Sequence, residues 1–381
     1  MTAVRSGATE RLDLVRLADW TFADEGTKRG IHSIHPYPAK FIPQIPRQLI
    51  KLLHPGDGSA ILDPFCGSGT TLLEAQAAGH PAIGIDINPL ATLIARVKTR
   101  CPTQPILPLA ISAVSGAASC QAPIPRIPRL DHWFKRDVQK ALAGLLALIS
   151  GIEDDAAREA LQVALSSIIV RVSNQDGDTR YAAVTKRTSA QLVYELFTQA
   201  AANIDRAYQE EFGGLFPAGR SAVKVITQDV LRAKPADIGA KIGLVITSPP
   251  YPNAYEYWLY HKYRMYWLGM DPLVVRAAEI GARPHYFKKN HQTEADFEVQ
   301  MGKVFQLLGA VTTPAASVCF IVGRSIIHGR MIDNAALLER AARHYGFRRL
   351  LSVQRTIPRT RKAFNPVLST INAESVMIFG R

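Results

Sequence analysis

The chain of 381 residues carries 45 Lys and Arg against 32 Asp and Glu, which gives a formal net charge of +13. This excess favours a polyanionic partner such as nucleic acid, because Lys and Arg release counterions when they neutralise phosphates. The four cysteines form no CxxC pair, which argues against a zinc site or a disulfide framework. Neither an apolar leader nor an uninterrupted run of 18 apolar residues occurs, so we expect a soluble cytoplasmic protein without a membrane partner.

The first elements alternate between strand and helix. Prolines delay the first of them to about Pro46, and Asn88 before Pro89 is a favourable helix start because Asn caps free N–H groups. The order β-α-β-α predicts a doubly wound sheet of parallel strands. The predicted elements here are a helix over 47–53, a strand over 60–62, a helix over 70–78, a strand over 82–85 and a helix over 88–97.

A long interval separates this half of the sheet from the next predicted strand, over 221–226. Residues 101–129 are rich in Pro, Ala and Ser and predict an extended linker, whereas helical periodicity follows it. An interval of this length exceeds an ordinary loop and must carry structure of its own. The predicted insert helices cover 137–149, 154–172 and 189–212.

We therefore divide the chain into three parts. Residues 1–98 and 221–381 are predicted to form one α/β domain, and 99–220 a mainly helical insert that is a candidate target-recognition region. The aromatic run 255–267 follows the fourth strand, and Tyr255, Trp258 and Tyr266 in it have the spacing of core positions on a helix. The remaining elements are a strand over 243–246, helices over 294–310 and 333–345, and strands over 316–322, 348–356 and 375–379.

Two loops follow buried strands and carry the functional signal. A glycine-rich turn between strand and helix lets the backbone approach a ligand closely, and Asp86, after the second strand, has the position of a ribose-binding acid. The same arrangement serves nicotinamide cofactors, although the turn is neither GxGxxG nor a P-loop. The loops are Asp63-Pro64-Phe65-Cys66-Gly67-Ser68-Gly69-Thr70-Thr71 and Thr247-Ser248-Pro249-Pro250-Tyr251.

Together, the two loops resemble the cofactor and catalytic motifs of class I S-adenosylmethionine-dependent DNA amino-methyltransferases. The resemblance implies a Rossmann-like, doubly wound, mostly parallel seven-stranded sheet and S-adenosylmethionine as cofactor. It implies that the glycine loop meets the methionine part, that Asp86 binds the ribose and that Asp229 reaches the adenine amine. Residues 35–41 resemble the segment that covers the methionine end. The implied cofactor residues are Tyr37, Lys40, Asp63, Pro64, Phe65, Gly67, Gly69, Thr70, Asp86 and Asp229.

The catalytic motif suits an amine acceptor. The lone pair of an aromatic amine is delocalised, so the site must draw the nitrogen toward tetrahedral geometry beside the methyl donor. Ser248 and the Pro249 carbonyl are natural acceptors for the amine hydrogens, and proline presents its carbonyl rigidly because its φ is fixed. Tyr251 is the expected stacking face for the base. The predicted catalytic residues are Ser248, Pro249, Pro250 and Tyr251, and the chemistry requires no metal.

In the family, serine before the two prolines is typical of cytosine N4 methylation, and Asp or Asn of adenine N6 or guanine N2. A base in duplex DNA must be flipped out to reach such a loop. Adenine-N6 methylation, RNA guanine-N2 methylation and an inactive nucleic-acid-binding module remain the alternatives. The candidate segments for target contact are 171–181 with Lys186 and Arg187, 283–291, and the basic stretch 355–362, which we expect to contact the phosphate backbone.

Overall fold

A seven-stranded sheet forms the centre of the fold in the computed structural model, which describes residues 2–22, 30–38, 42–178, 180–213, 220–252, 256–287, 291–357 and 373–381. The strands are β1 (Ala60–Asp63), β2 (Ala82–Asp86), β3 (Gln175–Gly177), β4 (Arg180–Ala183), β5 (Val223–Thr227), β6 (Ile242–Thr247), β7 (Thr312–Val322), β8 (Ser325–Ile327), β9 (Arg330–Ile332), β10 (Arg348–Thr356) and β11 (Ala373–Gly380).

Helices make up most of the remaining regular structure. In the part of the chain that the structure describes, none is long and apolar enough to span a membrane. The helices are α1 (Thr2–Leu17), α2 (Gln44–Leu53), α3 (Thr70–Ala77), α4 (Pro89–Thr99), α5 (Leu107–Ala117), α6 (Leu130–Trp133), α7 (Arg136–Ser150), α8 (Asp155–Ile168), α9 (Ala190–Phe212), α10 (Pro235–Ile238), α11 (Tyr257–Trp267), α12 (Pro272–Ala278), α13 (Arg283–Phe287), α14 (Glu294–Val311) and α15 (Asn334–His344).

The strand order is β10-β11-β7-β6-β1-β2-β5. Neighbouring strands from β5 to β7 pair in parallel, and β11 pairs antiparallel with both β7 and β10. The predicted fold class, a doubly wound and mostly parallel seven-stranded sheet with helices, is therefore confirmed. The carboxyl ends of β1, β2, β5 and β6 meet at one edge of the sheet, which is where open α/β sheets bind ligands.

Both faces of the sheet are buried. Ile61 of β1 packs in a core with α2 and α3, whereas its neighbour Leu62 points to the opposite core, which α14 and α15 fill. Successive side chains of a strand alternate between faces, so two helical layers can cover one strand. This double burial explains why the parallel strands are almost continuously apolar in sequence.

The prediction of an extended linker over 101–129 is wrong, because α5 occupies Leu107–Ala117 within it. Ala110, Ala113 and Ala117 on this helix are buried, and a Cβ added at Gly144 of α7 would lie 2.7 Å from the carbonyl oxygen of Ala117. Small residues at helical spacing thus permit close packing of two helices. Pro108 is compatible with α5 because it lies in the first turn, where a helix needs no N–H donor.

Candidate active site

The glycine loop and the Ser-Pro-Pro-Tyr loop open into one cleft at the carboxyl edge of the sheet. The cleft encloses about 890 Å³, including its part open to solvent. Most of the predicted site residues contribute to its wall. These are Tyr37, Pro64, Phe65, Gly67, Thr70, Asp86, Asp229, Ser248 and Pro250.

The two glycines of the cofactor loop have different structural roles. Both adopt positive φ, +50° at Gly67 and +79° at Gly69. Gly67 lines the cleft, whereas a Cβ at Gly69 would lie 2.8 Å from the Cβ of Ala95 in α4. Gly69 therefore permits the close approach of the loop to α4 and does not line the cleft.

Asp63 lies beneath the cleft and is 1% exposed. Its Oδ1 accepts hydrogen bonds from the Thr247 hydroxyl at 2.7 Å and the Phe65 N–H at 3.1 Å, and its Oδ2 from the Thr71 hydroxyl at 2.7 Å. Burial raises the pKa of Asp63 to about 6, although these three hydrogen bonds oppose the rise. In the structure Asp63 joins the cofactor loop to the end of β6.

Asp86 stands in the wall at the end of β2. Its Oδ2 accepts from the Gly67 N–H at 2.9 Å and its Oδ1 from the Asn88 N–H at 2.8 Å, while burial raises its pKa to about 6. Each carboxylate oxygen can accept a second hydrogen bond. The Asn88 side-chain nitrogen is buried without a partner in the described part of the chain, and Asn88 lines the cleft. The wall thus offers open acceptor positions on Asp86, beside the unpartnered Asn88 nitrogen, to a ligand with hydroxyl groups.

Asp229 follows β5 and also lines the cleft. Its Oδ1 accepts from the Leu231 N–H at 2.9 Å, so the carboxylate caps a short 3-10 turn at Val230–Arg232. Gln228 lines the cleft beside it, and its N–H donates to the Asp86 carbonyl at 3.0 Å. This bond ties the ends of β2 and β5 together.

Tyr37 covers the cofactor loop. Its ring stacks on Tyr257 at a centroid distance of 5.9 Å and on His261 at 4.8 Å, both from α11. The segment before the first strand therefore contacts the helix that follows the catalytic motif. Lys40, the other residue predicted from this segment, lies outside the described residues.

The catalytic motif is only partly in the cleft wall. Ser248 and Pro250 line the cleft, and Pro249 and Tyr251 do not. The Tyr251 hydroxyl donates to the Ile321 carbonyl of β7 at 3.4 Å, and burial raises the pKa of this phenol. The motif is thus anchored to β7 through Tyr251.

Sequence reasoning missed Tyr257, Gln228 and Glu279, which all line the cleft. Tyr257 belongs to the aromatic run, but its spacing does not separate it from its neighbours. Of the residues predicted as core, Trp258 is 7% exposed and Tyr266 is half-buried, while Tyr255 lies outside the described residues. Glu279 belongs to no motif, and no sequence signal identifies it.

The basic segments proposed for target contact have unequal surroundings. Arg171 is exposed, and Lys186 donates to the Val170 carbonyl at 3.1 Å. The prediction of a backbone-contacting role is wrong for Arg355, which is 5% exposed and pairs with Glu374 at 2.9 Å. Residues 288–290 and 358–362 lie outside the described residues.

The comparisons with known proteins agree with the cofactor motif. A family model described as DNA methylase (N6_N4_Mtase) matches residues 10–96, which contain the glycine loop and Asp86. Type II methyltransferase M.MvaI of Kocuria varians is 28% identical over 257 residues, covering 61% of this chain and 56% of that protein. Type II methyltransferase M.MjaII of Methanocaldococcus jannaschii is 48% identical over 85 residues, covering 21% and 16%. The chain is therefore similar to the amino-methyltransferases of the N4/N6 group.

The similarity to this group indicates S-adenosylmethionine as the cofactor. Asp86 and Asn88 fit its ribose and adenine through free acceptors and a free donor, and Gly67 leaves room for close approach of the backbone. The chain spans 56% and 16% of the two relatives. An rRNA methyltransferase, AviRa from Streptomyces viridochromogenes, has a similar structure with a TM-score of 0.33 and 14% identity, covering 98% of this chain and 94% of that one.

Proposed function

We propose that the chain transfers a methyl group from S-adenosylmethionine to the exocyclic amine of a base in DNA, with N4 of cytosine as the target atom. One observation carries this proposal: Ser248 and Pro250 of the catalytic motif stand in the wall of the same cleft as Gly67 and Asp86. A base amine held at Ser248 is therefore next to a bound cofactor. The bound cofactor supplies an electrophilic methyl group on a positively charged sulfur.

The residues of the motif hold the amine in a reactive geometry. The Ser248 hydroxyl and the Pro249 carbonyl accept the two amine hydrogens and draw them out of the plane of the base, which directs the nitrogen lone pair into the cleft. Tyr251 is the proposed stacking partner of the base although it does not line the cleft itself, and its hydroxyl bond to Ile321 anchors it to β7. Asp63 supports the motif from below through Thr247.

The choice of cytosine rests on Ser248. A serine hydroxyl is neutral and can both accept and donate, whereas Asp or Asn stands at this position in the adenine-N6 and guanine-N2 groups that the motif resembles. We propose duplex DNA as the partner, with the target base flipped out of the helix, because Ser248 lies in the wall of a cleft that a base stacked inside a duplex cannot enter. The net charge of +13 supports a polyanionic substrate.

We propose the insert, 99–220, as the region that reads the target. Its helices α8 and α9 pack together in one core with α4 and α11, so the insert contacts both the cofactor side and the catalytic side of the domain. Arg264 of α11 makes this connection directly, since it donates to the Ser166 carbonyl at 3.1 Å and pairs with Asp178 of the insert.

One assay tests the proposed reaction. Purified protein is incubated with methyl-labelled S-adenosylmethionine and either duplex DNA, tRNA or rRNA, and the modified nucleoside is identified after digestion. We expect N4-methylcytosine from DNA. N6-methyladenine would overturn the target atom, and label in RNA alone, or in no polymer, would overturn the reaction.

The site is tested by Ser248→Ala. Loss of one amine acceptor should lower kcat by roughly 10²- to 10³-fold while the Kd for S-adenosylmethionine stays within about twofold. Ser119→Ala, an exposed serine of the insert, is the matched control and should leave both values unchanged. Full activity of Ser248→Ala would show that this hydroxyl takes no part in the clamp.

A further inference from the structure

Glu279, directly after α12, is a carboxylate of the cleft wall that lies outside the predicted motifs. It is 5% exposed. Its two oxygens accept the N–H groups of Tyr257 at 2.9 Å and of Trp258 at 3.4 Å, at the start of α11. Two main-chain bonds at these positions fix the carboxylate at the amino end of the helix that follows the catalytic motif.

The residues after Glu279 pack against the catalytic motif itself. Gly281 has a φ of +76°, and a Cβ there would lie 2.3 Å from the carbonyl oxygen of Tyr251. The segment from Glu279 to Gly281 therefore touches both Tyr251 and Tyr257. The position of the Glu279 carboxylate is thus fixed relative to the amine clamp.

The cleft wall is acidic, although the protein has a net charge of +13. Its wall contains the carboxylates of Asp86, Asp229 and Glu279, and no Lys, Arg or His among the described residues. The rings of Tyr37 and Tyr257 also line this wall and add no positive charge to it. Such a wall suits a ligand that carries positive charge.

We propose that Glu279 recognises the positive charge on the sulfur of the cofactor. The cleft then prefers S-adenosylmethionine, a sulfonium, over S-adenosylhomocysteine, whose thioether sulfur is neutral. This inference rests on the cofactor and not on the nucleic-acid substrate. We therefore expect S-adenosylhomocysteine to leave the cleft readily after methyl transfer, because its neutral sulfur lacks the attraction to Glu279 that holds the sulfonium.

The protonation of Glu279 couples to this recognition. Burial, together with the nearby Asp86 and Glu256, raises the pKa of Glu279 to about 8, although the hydrogen bonds from the Tyr257 and Trp258 N–H groups oppose the rise. At neutral pH the free protein therefore holds a proton on Glu279, and a cationic ligand expels it by favouring the carboxylate. The charged and titratable groups around it are Asp86 on β2, Tyr37 before α2, Glu256 and Tyr257 at the start of α11, and Arg276 on α12 over the Trp258 ring.

Calorimetry of the unmodified protein tests the coupling without any variant. Binding of S-adenosylmethionine and of S-adenosylhomocysteine is measured at pH 7.5 in buffers of different ionisation enthalpy. We expect proton release with the sulfonium and markedly less with the thioether. Asp86, with a pKa of about 6, is already ionised at this pH and does not contribute. Equal proton release with both ligands, or none, would overturn the proposal.

Glu279→Gln tests the residue itself, since glutamine keeps an acceptor for the Tyr257 N–H, the shorter of the two bonds. We expect the Kd for S-adenosylmethionine to rise on the order of tenfold and that for S-adenosylhomocysteine to stay within about twofold. Glu256→Gln is the matched control, because Glu256 flanks the same helix and binds the Trp258 indole at 3.2 Å but does not line the cleft. Equal weakening of both ligands in Glu279→Gln would show that the carboxylate only caps α11.

Discussion

The Thr247 hydroxyl links the catalytic motif to the cofactor loop, and its removal breaks this link. Thr247 is fully buried, and its hydroxyl donates to Asp63 at 2.7 Å. Thr247→Val replaces this hydroxyl by a methyl group of similar size, so the change removes a hydrogen bond without opening a cavity. Asp63 keeps its bonds to Phe65 and Thr71.

The size of the loss depends on the charge of Asp63. A hydrogen bond to an ionised group contributes about 1.5–3 kcal/mol, and one between neutral groups about 0.5–1.5 kcal/mol. Because burial raises the pKa of Asp63 to about 6, the carboxyl is ionised at pH 8 and mostly protonated at pH 5. We expect Thr247→Val to lower the free energy of unfolding by about 2–3 kcal/mol at pH 8 and by about 1 kcal/mol at pH 5.

The direction of this pH dependence follows from the raised pKa of Asp63 in the folded chain. The pKa of Asp63 is higher in the folded chain than its ordinary value of 3.8, so the stability that this group contributes is present at low pH and is lost as pH rises through about 6. The Thr247 hydroxyl opposes that loss by binding the carboxylate. Without the hydroxyl, the pKa of Asp63 rises further and the loss above pH 6 becomes larger.

Urea denaturation followed by circular dichroism at pH 5 and pH 8 measures this difference. Thr247→Ser keeps the hydroxyl and is the control, which should lose less than Thr247→Val at pH 8. Equal losses for Thr247→Val at the two pH values would refute the assignment of a charged partner. A serine variant as unstable as the valine variant would show that packing of the methyl group, and not the hydrogen bond, matters here.

Two further predictions concern packing and charge. Gly69→Ala should lower the free energy of unfolding by about 2–4 kcal/mol, because Gly69 combines a φ of +79° with close contact to Ala95. Gly56→Ala should lower it by only about 1–2 kcal/mol, because Gly56 has a φ of +74° but nothing within 4 Å. Equal losses in urea denaturation would show that the contact with Ala95 does not matter. Asp178→Asn should lower the free energy of unfolding by about 2 kcal/mol, because it leaves Arg264, which is 1% exposed, without its carboxylate. Asp13→Asn, in the exposed pair with Arg16, should lower it by less than about 0.5 kcal/mol. Thermal unfolding compares the two variants, and similar shifts in Tm would argue against a buried charge at Arg264.

Local patterns predicted much of the architecture. The strands of the sheet are short apolar runs that end at turn residues, and the helix starts at Asn88 as its capping pattern predicts, with the Asn88 side chain accepting from the Leu90 N–H at 3.0 Å. These features depend on neighbours in sequence. The linker prediction failed at α5 because alanines and serines carry a weak periodic signal, and only the neighbouring α7 shows which of them are buried.

By itself, the sequence predicted which two loops form the candidate site and that both lie at the carboxyl edge of one sheet, because each loop directly follows an apolar strand. Only the tertiary structure decided which side chains enter the cleft. Gly67 lines it and Gly69 does not, Asp63 lies beneath it, and Arg355 turns inward to Glu374. Glu279 reaches the cleft from beyond α12. Such contacts join residues far apart in the chain, and local pattern contains no information about which distant side chains will meet.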